Sequence, residues 1–276
     1  MSPVEEDEQD LTRKQRREQA RDQRKAIEEA EAASVERRKR LILLGSVAAV
    51  VVVIIAVILV ATSGGGSSTP LPPPGKNPAE VPAVKKVMKE IAGIPQNGNT
   101  LGSPTAPVTM QYFGDLECPI CKDFTLGALP TLIQKYVRTG KMKIEYRNLE
   151  TATREPETFK TQQSAALAAG KQKKGWYYIE LFYNQQGEED SGYVTEKYLQ
   201  TLAQQTPGLN LATWTSDRNS PEFTNTITSD AQAANNAGFN GTPSFLIGKT
   251  GGTLTKFEYQ SLTDPSSFES AIDKLL

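Results

Sequence analysis

The stretch Val108-Thr109-Met110-Gln111-Tyr112-Phe113-Gly114-Asp115-Leu116-Glu117-Cys118-Pro119-Ile120-Cys121 decides the fold. Residues 108–113 are apolar or β-branched enough to form a buried strand. Beyond the cysteines, Phe124, Leu129, Leu132, Ile133 and Tyr136 recur at helical spacing. The cysteine pair therefore stands where a strand gives way to a helix. At a helix N-terminus, unpaired backbone N–H groups and the helix dipole favour an anion, so the first sulfur is expected to be held toward thiolate, the form that attacks disulfides.

Cys118 and Cys121 are the only two cysteines, and the chain has no histidine. Zinc would need two further Cys or His ligands, so this pair offers no metal site within one chain. As a structural staple the pair would close so short a loop that only about 2 kcal/mol of unfolded-state entropy would be removed. Two unrelated buried thiols are the other bland reading, and Pro119 between them at a strand-to-helix junction argues against it. A redox dithiol accounts for all of these features.

Toward the N-terminus the composition segregates sharply. The 276 residues carry a formal charge of −1, which gives no general reason to expect nucleic acid as a partner. Residues 1–40 are mostly charged or small, residues 41–62 carry no charge, and residues 63–82 are rich in Gly, Ser and Pro. At about 1.5 Å per residue, residues 41–62 can cross a hydrocarbon core of roughly 30 Å, so they are expected to form one uncleaved transmembrane helix, a signal-anchor. A cleaved leader would have a shorter apolar core, and Leu59-Val60-Ala61 is a poor cleavage site. Arg37-Arg38-Lys39-Arg40 abuts one end, whereas no cation follows the other until Lys76. The N-terminus should therefore stay cytoplasmic, with the rest outside the cell membrane, where disulfides persist. Residues 1–40 read as a solvated charged helix or disordered arm beside anionic lipid, a partner-binding helix being the alternative, and residues 63–82 as a linker.

From there the chain alternates. Residues 84–91 suit a short helix, and Asn97-Gly98-Asn99 a turn between short strands. Pro130 is expected to kink the helix after the cysteines. Residues 141–149 supply a second strand, which makes a parallel βαβ unit with the dithiol at the carboxyl end of its first strand. Residues 158–238 are helical in pattern, with Trp176, Tyr177 and Phe182 as core, Thr195 before one helix, and Ser220-Pro221 as N-cap and first residue of another. Strands return at 244–247 and 254–259 around Gly251-Gly252, and Asp264-Pro265 opens a last helix bearing Phe268, Ile272 and Leu275.

With CPIC after a strand, a helical block after the second strand, and Gly241-Thr242-Pro243-Ser244-Phe245 downstream, residues 91–276 resemble the DsbA-like branch of the thioredoxin superfamily. Gly93-Ile94-Pro95-Gln96, Leu101-Gly102 and Ala106-Pro107-Val108-Thr109 are similar to lead-ins of its membrane-tethered members. The resemblance implies an α/β thioredoxin fold with an inserted helical subdomain, here preceded by a single transmembrane helix. It implies that Pro243 is cis and lies against the dithiol, leaving Thr242 backbone groups to pair with an extended substrate. Asn240-Gly241-Thr242 also fits a glycosylation sequon, a coincidence if that loop is packed. The implied activity is extracytoplasmic disulfide introduction into exported proteins that carry cysteines. No cofactor is implied, and a membrane quinone-linked thiol oxidase would be the redox partner.

In that scheme Cys118 is the exposed reacting sulfur and Cys121 the shielded one, with Pro119 and Ile120 between them. Two residues depart from the oxidising members. Ile120 stands where many carry His, and Glu117 adds a negative charge beside Cys118. A reductase or isomerase of the same fold, and a non-catalytic anchored binding module, are the rival readings.

Overall fold

A computed structural model describes residues 81–276. The expected cytoplasmic arm, the transmembrane helix and the linker up to residue 80 lie outside the described residues, among which no helix is long and apolar enough to cross a membrane.

The centre of the molecule is β3 (Val108–Gly114), buried at every position but Gln111. A strand buried on both faces needs neighbours on each side and cover above and below. On one side β4 (Met142–Asn148) runs parallel, in register from Val108 with Met142 to Gly114 with Asn148. On the other, β5 (Ser244–Lys249) runs antiparallel and carries the edge strand β6 (Thr255–Phe257). Beyond β4 lies a small hairpin, β1 (Gln96–Asn97) and β2 (Thr100–Leu101), turning at the expected Gly98-Asn99, so the sheet order is β1-β2-β4-β3-β5-β6.

The first helix among the described residues, α1 (Pro82–Ile91), begins at the residue where the linker was expected to end. Val84, Val87 and Ile91, at helical spacing, enter the same core as β3. The folded unit thus starts upstream of residue 91. Arg138 closes α1 by donating from Nη2 to the Glu90 carbonyl at 2.7 Å and from Nη1 to the Ala92 carbonyl at 3.1 Å.

The βαβ crossover is broken, but not by Pro130. Helix α2 (Pro119–Leu126) stops at Gly127, and α3 (Leu129–Leu132) then runs into a π-helical turn, Ile133–Val137. Pro130 lies in the first turn of α3, where a missing N–H removes no helical bond. The break falls at Gly127, where a Cβ would lie 2.6 Å from the Asp123 carbonyl of α2 itself, 2.8 Å from Thr263 Cα and 2.9 Å from the Leu262 carbonyl, and the Ala128 N–H that follows donates to the Leu262 carbonyl at 3.0 Å rather than within a helix.

The helical insertion comprises α4 (Pro156–Lys171), α5 (Gly175–Asn184), α6 (Glu196–Gln205), α7 (Leu211–Asp217) and α8 (Pro221–Asn236). Every residue of α5 from Gly175 to Tyr183 is buried, as befits a helix apolar on most of its circumference. Thr195 caps α6 as expected, accepting the Tyr198 N–H at 3.2 Å. Helix α7 was not expected. Asn210 caps it, and its single core anchor, Trp214, donates from Nε1 to the Ala165 carbonyl at 2.8 Å. The closing helix, α9 (Ser266–Asp273), starts one residue after Pro265, with the Asp264 carboxylate accepting the Ser266 N–H at 2.9 Å.

Candidate active site

The parallel unit delivers both cysteines to the carboxyl end of β3. Asp115 accepts the Cys118 N–H at its carbonyl (3.0 Å), turning the chain, and Pro119 supplies the preset φ of a first helical residue. Cys118 becomes the N-cap of α2, and its Sγ accepts the Cys121 N–H at 3.4 Å. The sulfur takes the place of the usual capping oxygen, which favours its anionic form.

The two sulfurs differ in their surroundings. Cys121 is 0% exposed and Cys118 4% exposed, both as free thiols. Cys118 is thus more shielded than the sequence led us to expect. The loop carrying the cis peptide Thr242–Pro243 closes over it, and its thiol donates to the Thr242 carbonyl at 3.5 Å. The open face of the motif is instead Pro119 and Ile120, the latter 46% exposed.

A hydrogen bond from the Cys121 thiol holds Cys118 down to about 7 against the opposing effect of burial, helped by Thr242 and by the backbone N–H groups of Cys121 and Ile120. Burial pushes Cys121 well up, and its neighbour Cys118 pushes it further. Glu117 was expected to oppose the thiolate. It is 3% exposed, and burial raises its own pKa, so its charge is weakened rather than imposed on Cys118.

Several residues that build this site were not singled out from the sequence. The Asp115 side chain reaches the loop after β4, accepting backbone N–H groups of Thr151, Ala152 and Thr153. Thr151 Oγ1 lies 2.6 Å from Thr242 Oγ1. Gln186 donates from Nε2 to the carbonyls of Leu116 (2.7 Å) and Cys118 (3.1 Å), holding the residues on either side of Glu117. Beneath the dithiol, Tyr112 donates to the Cys121 carbonyl at 3.3 Å and Tyr183 to the Asp115 carbonyl at 3.0 Å. These contacts join residues far apart in sequence with no shared spacing. The one hint was Asp115, a carboxylate in the turn next to the cysteines.

The site can therefore present one activated sulfur and one protected sulfur at a helix start, beside the Thr242–Pro243 loop. A cleft of about 250 Å³ continues from that loop, lined by Asn240, Thr242, Pro243, Ser244, Lys256 and Tyr259 among others. No cluster of three or more His, Cys, Asp or Glu side chains that could hold a metal occurs among the described residues.

A family model described as thioredoxin matches residues 96–274. A probable disulfide bond formation protein D of Bacillus anthracis is 25% identical over 178 residues, which is 64% of this chain and 77% of that protein. Among solved structures, oxidised BdbD from Bacillus subtilis superposes with a TM-score of 0.55 at 21% identity, over 67% of this chain and 97% of its own. Alpha-DsbA1 of Wolbachia pipientis gives 0.53 at 22% identity, over 64% and 89%. At such identities the structural likeness speaks to the fold, helical insertion included.

Proposed function

The chain belongs to the thioredoxin family and is a thiol-disulfide oxidoreductase of the DsbA-like kind, and from that premise we propose that it introduces disulfides into exported proteins through Cys118 and Cys121. The observation that carries the division of labour between the sulfurs is their placement: Cys118 caps α2 with its Sγ accepting the Cys121 N–H at 3.4 Å and is lowered to about 7, whereas Cys121 is fully buried and raised.

In the oxidised enzyme the two cysteines form a disulfide. A substrate thiolate attacks Cys118, a substrate–Cys118 bond forms, and Cys121 leaves and takes up a proton, which its buried surroundings favour. A second substrate thiolate then attacks the substrate sulfur of the mixed disulfide. The substrate disulfide forms and Cys118 leaves as a thiolate, a good leaving group because its pKa is low. Two substrate thiols are oxidised and the enzyme dithiol is left reduced. A membrane quinone-linked thiol oxidase then removes two electrons and two protons to restore it. An extended substrate segment pairs with the Thr242 backbone beside Pro243, and exposed Pro119 and Ile120 meet its apolar side chains.

Residues 41–62 would anchor this domain, with residues 1–40 cytoplasmic, residues 63–80 as spacer and the catalytic unit outside the cell membrane. The direction of electron flow is supported by relatives at 25% identity whose names refer to disulfide bond formation. One observation favours the opposite direction, reduction or isomerisation. A Cys118 pKa of about 7 is thioredoxin's value, at the upper end of the range of about 3.5 to 7.5 for activated cysteines, and Ile120 adds no cation to lower it. Equilibration with glutathione decides between them. A potential between about −120 and −200 mV is expected, and one near −270 mV, the thioredoxin value, would transfer the assignment to a reductase.

A further inference from the structure

The turn that presents the dithiol is gripped by the helical insertion. Asp115, Leu116, Glu117 and Cys118 link β3 to α2, and three of their four carbonyls accept side-chain donors from the end of α5 and the residues just after it. Tyr183 donates its hydroxyl to the Asp115 carbonyl at 3.0 Å. Three residues on, Gln186 Nε2 donates to the carbonyls of Leu116 at 2.7 Å and of Cys118 at 3.1 Å, so both N–H groups of this buried amide are used. The grip is returned, because Lys122, next to Cys121, donates from Nζ to the Gln186 carbonyl at 3.4 Å.

We propose that Gln186, with Tyr183 as its support, is a positioning residue for disulfide exchange: it fixes the Leu116 and Cys118 carbonyls, and thereby holds Cys118 where its sulfur can meet the incoming sulfur in line. The inference rests on the reading of Cys118 as the reacting residue. Cys118 has φ −67° and ψ 118°, the extended conformation of an N-cap. In that conformation its Sγ accepts the Cys121 N–H at 3.4 Å while its carbonyl accepts the Lys122 N–H at 3.2 Å. Carbonyl and side chain share one Cα, so a carbonyl that swings out of line carries the sulfur off the helix start. The second donor on that carbonyl, from Gln186, resists the swing. Exchange through a mixed disulfide needs three sulfurs aligned, and a small misplacement of a reacting atom costs much of the rate. The insertion thus contributes to the chemistry through backbone it grips, without touching a sulfur.

The test uses the full-length protein. In its reduced form Cys118 attacks one sulfur of oxidised glutathione and a glutathione thiolate leaves, a step with few binding contacts whose rate at fixed pH reads positioning. Gln186→Met keeps the length of the side chain and removes both donors, and it should slow this step about tenfold. In single-turnover oxidation of a dithiol peptide by the oxidised protein, the limiting rate should fall while the half-saturating peptide concentration holds. Gln185→Met is the control, since Gln185 donates to Gln205 at 2.6 Å and so braces the insertion itself. It should lower Tm to a similar extent and leave both rates at wild type. Equal rates in the two variants would make Gln186 structural only and overturn the proposal, as would a Gln186→Met protein that raises the half-saturating concentration with its limiting rate unchanged. Should Gln186→Met fail to fold, Tyr183→Phe decides: losing one oxygen and its bond to the Asp115 carbonyl should slow the glutathione step about threefold, and a wild-type rate overturns the proposal. A Cys118→Ser protein that still exchanged with glutathione would instead remove the reading of Cys118 on which the proposal stands.

Discussion

Asp115 and Glu180 are both 0% exposed, yet six donors converge on the first, while among the described residues neither carboxylate oxygen of the second has a hydrogen-bond partner. Six donors suit an acceptor-only carboxylate. A buried carboxyl without donors is cheapest to keep protonated. Burial pushes Glu180 well up, Glu90 across the α1–α5 contact pushes it further, and Lys86 opposes both; burial also raises Glu90. The same chemical group therefore organises the active site in one region, and in the other makes the seating of α1 depend on a proton.

The largest expected effect breaks the first half of that contrast. Asp115→Ala strands six buried donors and should cost at least about 3 kcal/mol in urea unfolding. A loss under about 1 kcal/mol would mean that the loop at 151–153 holds itself.

Glu180 gives the next effect, and its sign is unusual for a carboxylate. The folded state binds the proton more tightly than the unfolded chain, whose carboxyl titrates near 4.5. Its contribution is fully present below that value and is lost as pH rises through the raised folded pKa. Unfolding measured over a pH series should show stability falling above about 4.5 on this account. Glu180→Gln should flatten the fall and gain about 1 to 2 kcal/mol at neutral pH. Equal slopes in both proteins would remove the proton from the α1 contact.

Asp230 sharpens the comparison as an intermediate case. It is 4% exposed and raised by burial, but it accepts the Asn148 N–H at 2.9 Å and faces the Arg147 guanidinium. Asp230→Ala should cost about 2 kcal/mol, between the other two carboxyls, as read from thermal unfolding. The smallest effect belongs to Glu117. Because burial already weakens its charge, Glu117→Gln should shift the Cys118 alkylation midpoint downward by less than about 0.5 unit. A larger drop would show that its charge is in force.

What could be read from the sequence follows the same division between periodic and isolated residues. The strand at 108–113, the second strand at 141–149 and the helical block announced themselves through apolar spacing, and the Thr242–Pro243 loop through resemblance. Asp115, Thr151 and Gln186 belong to turns and loops, where one polar residue looks much like another until the fold brings them together. Glu180 was concealed differently: it sits inside the run Trp176 to Tyr183, whose all-round burial in α5 leaves a charged residue nowhere to reach water. The break after α2 was assigned to Pro130 because proline is the visible helix breaker. The break falls instead at Gly127, crowded by the Asp123 carbonyl of its own helix and by Leu262 and Thr263, and the latter two leave no mark near Gly127 in the sequence. Helix α7 has one buried anchor, Trp214, too little for a periodic signal.

The rate at which each cysteine of the reduced protein is alkylated, followed against pH, tests the central claim most directly. Cys118 should react first, with a midpoint at about 7, while Cys121 stays protected well into alkaline solution. Alkylation of Cys121 ahead of Cys118, or both titrating together near the ordinary thiol value of 9.0, would contradict the account.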